Sequence, residues 1–181
     1  MAIVLKARDA TIKIEDAVTI DTSGNLAADF SATAEAQVKN ITITPPEGSV
    51  DKIDCLGETT NFQNQYLDIK SFGMATCTGT MILDGAAEQN PLLEAMGGTG
   101  TTVTGSYTRH QMGSSASGST RTGTSAILVT LTDGTEIVNI VLDDVYFTKI
   151  GDIKLTGADG HWEFDFECVC LPKNFYIEFL D

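Results

Sequence analysis

The run Trp162–Cys170, WEFDFECVC, alternates apolar and acidic side chains without a break until Val169. A period of two is what a β-strand presents, because successive side chains point to opposite faces. Trp162, Phe164, Phe166, Cys168 and Cys170 fall on one side; Glu163, Asp165, Glu167 and Val169 fall on the other. A strand of this kind needs an apolar layer opposite its aromatic side. It therefore commits the chain to packed sheets, with three carboxylates in a row on the opposite face.

Other segments repeat the logic. Ala75, Cys77, Gly79, Met81 and Leu83 alternate with Thr76, Thr78 and Thr80, the pattern of a half-buried strand. Ala32–Thr44 reads as a long strand whose apolar parity slips. Ala32, Ala34, Ala36 and Val38 share a face, then Ile41 and Ile43 take the opposite parity. A bulge near Lys39–Asn40 restores one buried face. Pro45–Pro46 ends that strand, since proline has no N–H for the ladder. Ser49–Leu56 is a further strand and Glu58–Gln65 a polar loop. Ile127–Leu131 and Glu136–Phe147 flank the hairpin signal Asp133-Gly134. Ile153–Thr156 and His161–Cys170 flank a second turn, Ala158-Asp159-Gly160. Phe175–Leu180 adds a last strand. Residues 1–25 supply an N-terminal arm or first strands, Ile3–Arg8 and Thr11–Glu15, followed by the turn cluster Asp21–Asn25.

One short helix interrupts this pattern. Asn90 caps it, Pro91 takes the first helical position, and Leu92, Leu93 and Met96 form its apolar face before Gly97 and Gly98 stop it. A helix this short must dock on a sheet. Residues 97–124 then form a long loop, mostly Gly, Ser and Thr, that holds Arg109 and Arg121, the only Lys or Arg between Lys70 and Lys149. A locally basic loop on an acidic body is a candidate inter-subunit segment. About eight to eleven strands and one helix make the chain mainly β. The expected fold is an antiparallel β-sandwich or barrel with one short flanking α-helix, in a single domain of 181 residues.

Charge and motifs exclude more than they assign. Eleven Lys and Arg against 25 Asp and Glu leave a net −14, the wrong sign for gripping phosphates. No apolar run approaches the ~20 residues of a membrane span, and the N-terminus lacks the charged and apolar regions of a secretion signal. The four cysteines, Cys55, Cys77, Cys168 and Cys170, are read as reduced, small buried hydrophobes. His110 and His161 do not complete a metal set with them. No phosphate loop, dinucleotide fingerprint, H-E-x-x-H or catalytic triad pattern is present. The Glu163/Asp165/Glu167 row has same-face neighbours about 7 Å apart, a spacing that glycosidases also use. An acidic strand face more commonly meets solvent or an interface. No enzyme, catalytic residue, cofactor or metal is expected. As the wall of a channel, the row would repel passing phosphates and so keep nucleic acid from adhering.

The order of these pieces carries a resemblance. Val38-Lys39-Asn40-Ile41-Thr42-Ile43 leads through Pro45–Pro46 to a strand-loop-strand. Gly79-Thr80-Met81-Ile82-Leu83-Asp84-Gly85 leads to the helix Pro91–Met96. Val145–Gly151 follows the Asp133-Gly134 hairpin, and Asp159-Gly160-His161-Trp162-Glu163-Phe164-Asp165-Phe166 closes the series. This resembles the tail tube proteins of long-tailed, non-contractile viruses of bacteria or archaea. The resemblance implies a structural virion protein that assembles in the host cytoplasm and resides in the tail. Six subunits would join edge to edge into a ring, and rings would stack into a hollow tube that conducts viral DNA. Its implied partners are further copies of itself, the tape measure protein and the tail tip and terminator proteins, with DNA passing transiently and without specificity. Related tubes occur in contractile tails and type VI secretion. The family's long loop lies between early strands, a part that Pro45–Gly73 can play. Glu163, Asp165 and Glu167 become candidate lumen-facing acids; Arg109 and Arg121 become candidate inter-subunit contacts. The alternatives are another virion component, such as a decoration or tail-terminator protein, and a carbohydrate-binding or adhesin-like module. The module would want exposed aromatics, and only 7% of the chain is aromatic.

Overall fold

The computed structural model describes residues 10–15, 18–32, 35–53, 66–83, 101–103, 107–109, 125–132, 136–155 and 162–180. Eleven strands run through them: β1 (Thr11–Glu15), β2 (Val38–Thr44), β3 (Gly48–Ile53), β4 (Tyr66–Phe72), β5 (Ala75–Leu83), β6 (Thr101–Val103), β7 (Tyr107–Arg109), β8 (Ser125–Thr132), β9 (Ile137–Leu155), β10 (Trp162–Cys170) and β11 (Phe175–Leu180). All described pairings are antiparallel. The expected helix over Pro91–Met96 lies outside the described residues, as do Ile3–Arg8, Glu58–Gln65 and Cys55.

The main sheet has the order β1-β8-β9-β10-β5-β2, with β11 also paired to β9. Its two ends meet. Between β1 and β2 the chain bridges Glu35 to Lys13, and Ala36 N–H donates to the Ile12 carbonyl at 2.8 Å. One residue later the Gln37 carbonyl accepts from Ile82 N–H of β5 at 2.8 Å. The ladder thus passes from one end of the sheet to the other, and six strands curl into a barrel.

β9 makes that curl possible. The sequence suggests two segments here, Glu136–Phe147 and Ile153–Thr156, but one continuous strand spans Ile137–Leu155. Its first half pairs with β8 and β11, its second with β10. The two halves meet at Asp143–Asp144, where Asp144 takes φ 51°. This left-handed conformation is one that Asp tolerates better than most side chains. Asp144 N–H donates to Asp143 Oδ1 at 2.8 Å. The 3-10 turn Pro172–Asn174 between β10 and β11 sits at the same corner, with Asn174 Nδ2 3.5 Å from Asp144 Oδ2. Gly151, between the two expected segments, occupies a bulge opposite Asp165. A Cβ at Gly151 would lie 2.8 Å from Asp165 Cβ, so glycine lets the two backbones approach.

The interior is filled from both sheet halves: Ile12, Ile14, Cys77, Met81, Ile127, Val129, Leu142, Phe164, Phe166, Cys168 and Cys170 form one cluster. The expected alternation of β5 and β10 puts those residues there. Trp162 departs from it: the residue sits at the open end of β10, past the core, and is exposed. Gly79 lies opposite Phe166, and a Cβ there would meet the Phe166 ring at 2.7 Å. The ring covers the bare glycine and packs edge-on against Phe147, centroids 6.1 Å apart. The expected bulge at Lys39–Asn40 is present between Val38 and Asn40, and β2 ends at Thr44, before the prolines. The strand itself begins at Val38 rather than at Ala32, because Glu35–Gln37 are used to link the barrel ends.

A second, smaller cluster covers the outside of the β8/β9 half: Val18, Leu26, Phe30, Ala126, Leu128 and Val141. It is laid down by the segment Val18–Phe30, whose 3-10 turn Leu26–Asp29 is capped by Asn25 Oδ1 accepting from Ala27 N–H at 2.9 Å. β3 and β4 form a separate hairpin within Pro45–Gly73. β6 and β7 form another within residues 97–124, a segment that reads as an unbroken loop in the sequence.

Candidate functional site

The outer face of β9, β10, β5 and β2 carries the acidic row. Cross-strand register builds it. Glu163, Asp165 and Glu167 stand opposite Ile82, Thr80 and Thr78 of β5; Thr80 and Thr78 in turn stand opposite Asn40 and Thr42 of β2. On the other side, Glu163 stands opposite Lys154 and Glu167 opposite Lys149 of β9. The surface is therefore a carpet of threonines and amides with charges along its middle.

Each expected carboxylate has a cation beside it. Glu163 is 7% exposed, not solvated as an acidic strand face would be, and the bulge residue Lys39 reaches over β5 to it, Nζ 3.1 Å from Oε1 and 3.2 Å from Oε2. Asp165 accepts from Lys154 Nζ at 2.7 Å on Oδ2 and from Thr80 Oγ1 at 2.8 Å on Oδ1. The Lys154 hydrogen bond, with that of Thr80 behind it, holds the Asp165 carboxyl below the usual carboxylate range, and Asp165 in turn raises Lys154. Glu167 faces Lys149 across the ladder. Glu163 and Asp165 are thus ion-paired, Glu167 has a lysine only as its ladder neighbour, and Asp152 adds a fourth carboxylate. Around the Gly151 bulge the face dips into a groove of about 350 Å³, lined by Asn40, Thr78, Thr80, Lys149, Asp152, Asp165 and Glu167.

The lysines are what the sequence reading missed. Counting outward from Ala158-Asp159-Gly160 sets Lys154 opposite Phe164, one residue away from its actual partner Glu163, so the sequence alone does not place it. The second candidate pair is not brought together by described contacts. Arg109 ends β7 opposite Thr101, and Arg121 lies outside the described residues.

Among the described residues this face holds no nucleophile–base arrangement. The thiols lie behind it in the core, where burial pushes Cys170 up to about 11 and a hydrogen bond with Cys77, then burial, raises Cys168. Among the described residues no group of three His, Cys, Asp or Glu is placed to hold a metal ion, and no helix is long and apolar enough to cross a membrane.

No family model matches the chain, and no curated protein does. Solved structures do. A chain of the sheath–tube complex of an extracellular contractile injection system, PVC in its extended state, aligns with TM-score 0.57 at 8% identity, covering 98% of this chain and 93% of that one. A chain of the anti-feeding prophage tube-terminating cap gives 0.57 at 8% identity, with 99% and 94% covered. A chain of the anti-feeding prophage baseplate gives 0.51 at 10% identity, with 99% and 97% covered. The likeness runs end to end and establishes a tail-tube-like β fold. The first of these chains belongs to a contractile injection system rather than to a non-contractile virus of the kind that the sequence order resembles.

Proposed function

We propose that this chain is a structural tube component: copies join edge to edge into hexameric rings, and the rings stack into a hollow tube. The observation that carries this reading is the end-to-end likeness, 98–99% of the chain, to chains of tube-bearing particles. A barrel that leaves strand edges unpaired among its described residues supports it, since such edges template pairing with another chain. The reading applies to contractile and non-contractile tubes alike. In its viral form the tube lies in the virion tail, conducts DNA and contacts tape measure, tip and terminator proteins.

The outer face of β9, β10, β5 and β2 is the proposed lumen wall. Lys39 and Lys154 are paired with carboxylates and Lys149 stands across the ladder from Glu167, so a passing polyanion has little counterion release to gain. Its carboxylates keep a weak repulsion on top of that. Such a wall supplies little binding energy and lets a polymer slide. The role is structural rather than catalytic.

Electron microscopy of the purified protein tests the proposal. Rings or hollow tubes are expected; a monodisperse monomer at high concentration overturns it. The match to a chain of a tube-terminating cap favours one second reading, a terminator. That reading predicts single rings that never stack.

A further inference from the structure

Two parts of the inward face run past the barrel. On β11, Ile177 is 50% exposed and Phe179 75%, although they share a face with Phe175, which packs on the core. At the far end of β9, Ile153 is 63% exposed and Trp162 55%, although Ile153 stands opposite the buried Phe164. Val138, opposite Phe179, and Ile153 lie toward opposite ends of β9. Each patch also borders a strand edge. β11 is paired on one edge by β9, and the second half of β9 on one edge by β10; among the described residues neither has a strand on its other edge.

Charge chooses between the ways in which two copies can meet. β11 carries Glu178 and no Lys or Arg, and Glu136 directly precedes the start of β9, whereas the second half of β9 carries Lys149 and Lys154 against one acid, Asp152. A contact of β11 with β11 sets acidic edges against each other on a chain of net charge −14. A contact of β11 with the second half of β9 sets an acidic edge beside a lysine-bearing one.

We propose that β11 of one copy adds as a strand to the free edge of the second half of β9 of the next copy, with Ile177 and Phe179 covering Ile153 and Trp162. The contact is head-to-tail, joins different surfaces, and closes into a ring when the rotation per copy divides a full turn. It rests on the self-assembly reading above and names the edges that reading leaves open.

Complementary variants test it by sedimentation velocity and light scattering. Phe179→Asp and Ile153→Asp each remain monomeric, with the far-ultraviolet circular dichroism and urea midpoint of the parent. Mixed one to one, they form a heterodimer and nothing larger, because each retains the half that the other lacks. In the otherwise unaltered chain, benzoylphenylalanine in place of Phe179 crosslinks to residues 146–162 of another copy. Crosslinking to 175–180, self-association of Ile153→Asp, a mixture that stays monomeric, or assembly of Phe179→Asp like the parent overturns the contact. The tube reading fails separately: heterodimers from the variants and closed rings without hollow tubes from the parent uphold the contact and reject the tube. Hollow tubes from Phe179→Asp do the reverse.

Discussion

Asn139 Nδ2 donates to Glu178 Oε2 at 2.8 Å, and through this bond a buried amide on β9 holds a β11 carboxylate that also serves the 3-10 turn. Asn139 Oδ1 accepts from Thr130 Oγ1 of β8 at 2.8 Å. Glu178 Oε1 accepts from Leu26 N–H, at the start of the 3-10 turn, at 3.3 Å. The network fastens the Val18–Phe30 cover to the outside of the barrel. Asn139→Ala leaves the Thr130 hydroxyl and the Glu178 carboxylate short of a partner, and is expected to cost about 2–3 kcal/mol in urea unfolding. Hydrogen exchange at Leu26 then accelerates more than exchange within β5. Equal acceleration at both sites counts against the fastening role.

Gly79 and Phe166 make a second testable pair. A methyl group at Gly79 would collide with the Phe166 ring and also lie 2.8 Å from the Asn40 carbonyl oxygen. Gly79→Ala is expected to lose about 1–3 kcal/mol by overpacking. Phe166→Leu shortens the colliding side chain. In that background the alanine costs less, so the double variant is less destabilised than the sum of the singles. Strict additivity shows that the ring is not the obstacle.

Much of the barrel is legible in the sequence because its strands are half-buried. β5 and β10 announce themselves through alternation, and the parity slip in Val38–Ile43 locates the bulge. Legibility fails where backbone geometry rather than polarity decides. Gly151 falls between the two expected segments Glu136–Phe147 and Ile153–Thr156, yet it is a bulge within a continuous β9 opposite Asp165. Trp162 has the correct parity for burial and lies beyond the end of the core. The acidic row is readable as a row; its pairing with Lys39 depends on a bulged side chain crossing a neighbouring strand, which no local pattern encodes.

Asp165 and Lys154 give stability a pH dependence with two limbs. The Asp165 carboxyl is held below its ordinary 3.8, so its contribution is present above that value and is lost as pH falls through its folded pKa. Lys154 is raised above its ordinary 10.5, so its contribution is present below that value and is lost as pH rises through its own folded pKa. Asp165→Asn flattens both limbs. Urea midpoints of the parent and this variant therefore converge toward acid and toward strong base, and differ most at neutral pH.

Asp143 works in the opposite sense. Burial is the main cause that raises its carboxyl above 3.8, and the neighbouring Asp144 charge adds to it. The folded state then favours the protonated form, so this contribution is present below 3.8 and is lost as pH rises through the folded pKa. Asp143→Asn keeps an oxygen for the Asp144 N–H and removes the charge. It is expected to raise the urea midpoint at pH 7 and to leave it nearly unchanged near pH 3. A lower midpoint at pH 7 rejects this account of the corner.

The acidic row separates a folding effect from a transport effect. Glu163 is buried beneath a half-exposed Lys39, so Glu163→Lys sets two ammonium groups side by side, one of them at a buried position, and is expected to cost about 2–3 kcal/mol. Its loss of function would say nothing about a lumen. Glu167 is more open and faces Lys149 across the ladder, so Glu167→Lys is expected to leave the unfolding midpoint within about 1 kcal/mol of the parent. On the proposed wall, a ring of such substitutions turns a compensated surface into a cationic one. Tubes assembled from Glu167→Lys should then retain DNA in a salt-dependent manner, released as ionic strength rises, where parent tubes retain none. Tubes of normal form that hold no more DNA than the parent place this face outside the lumen.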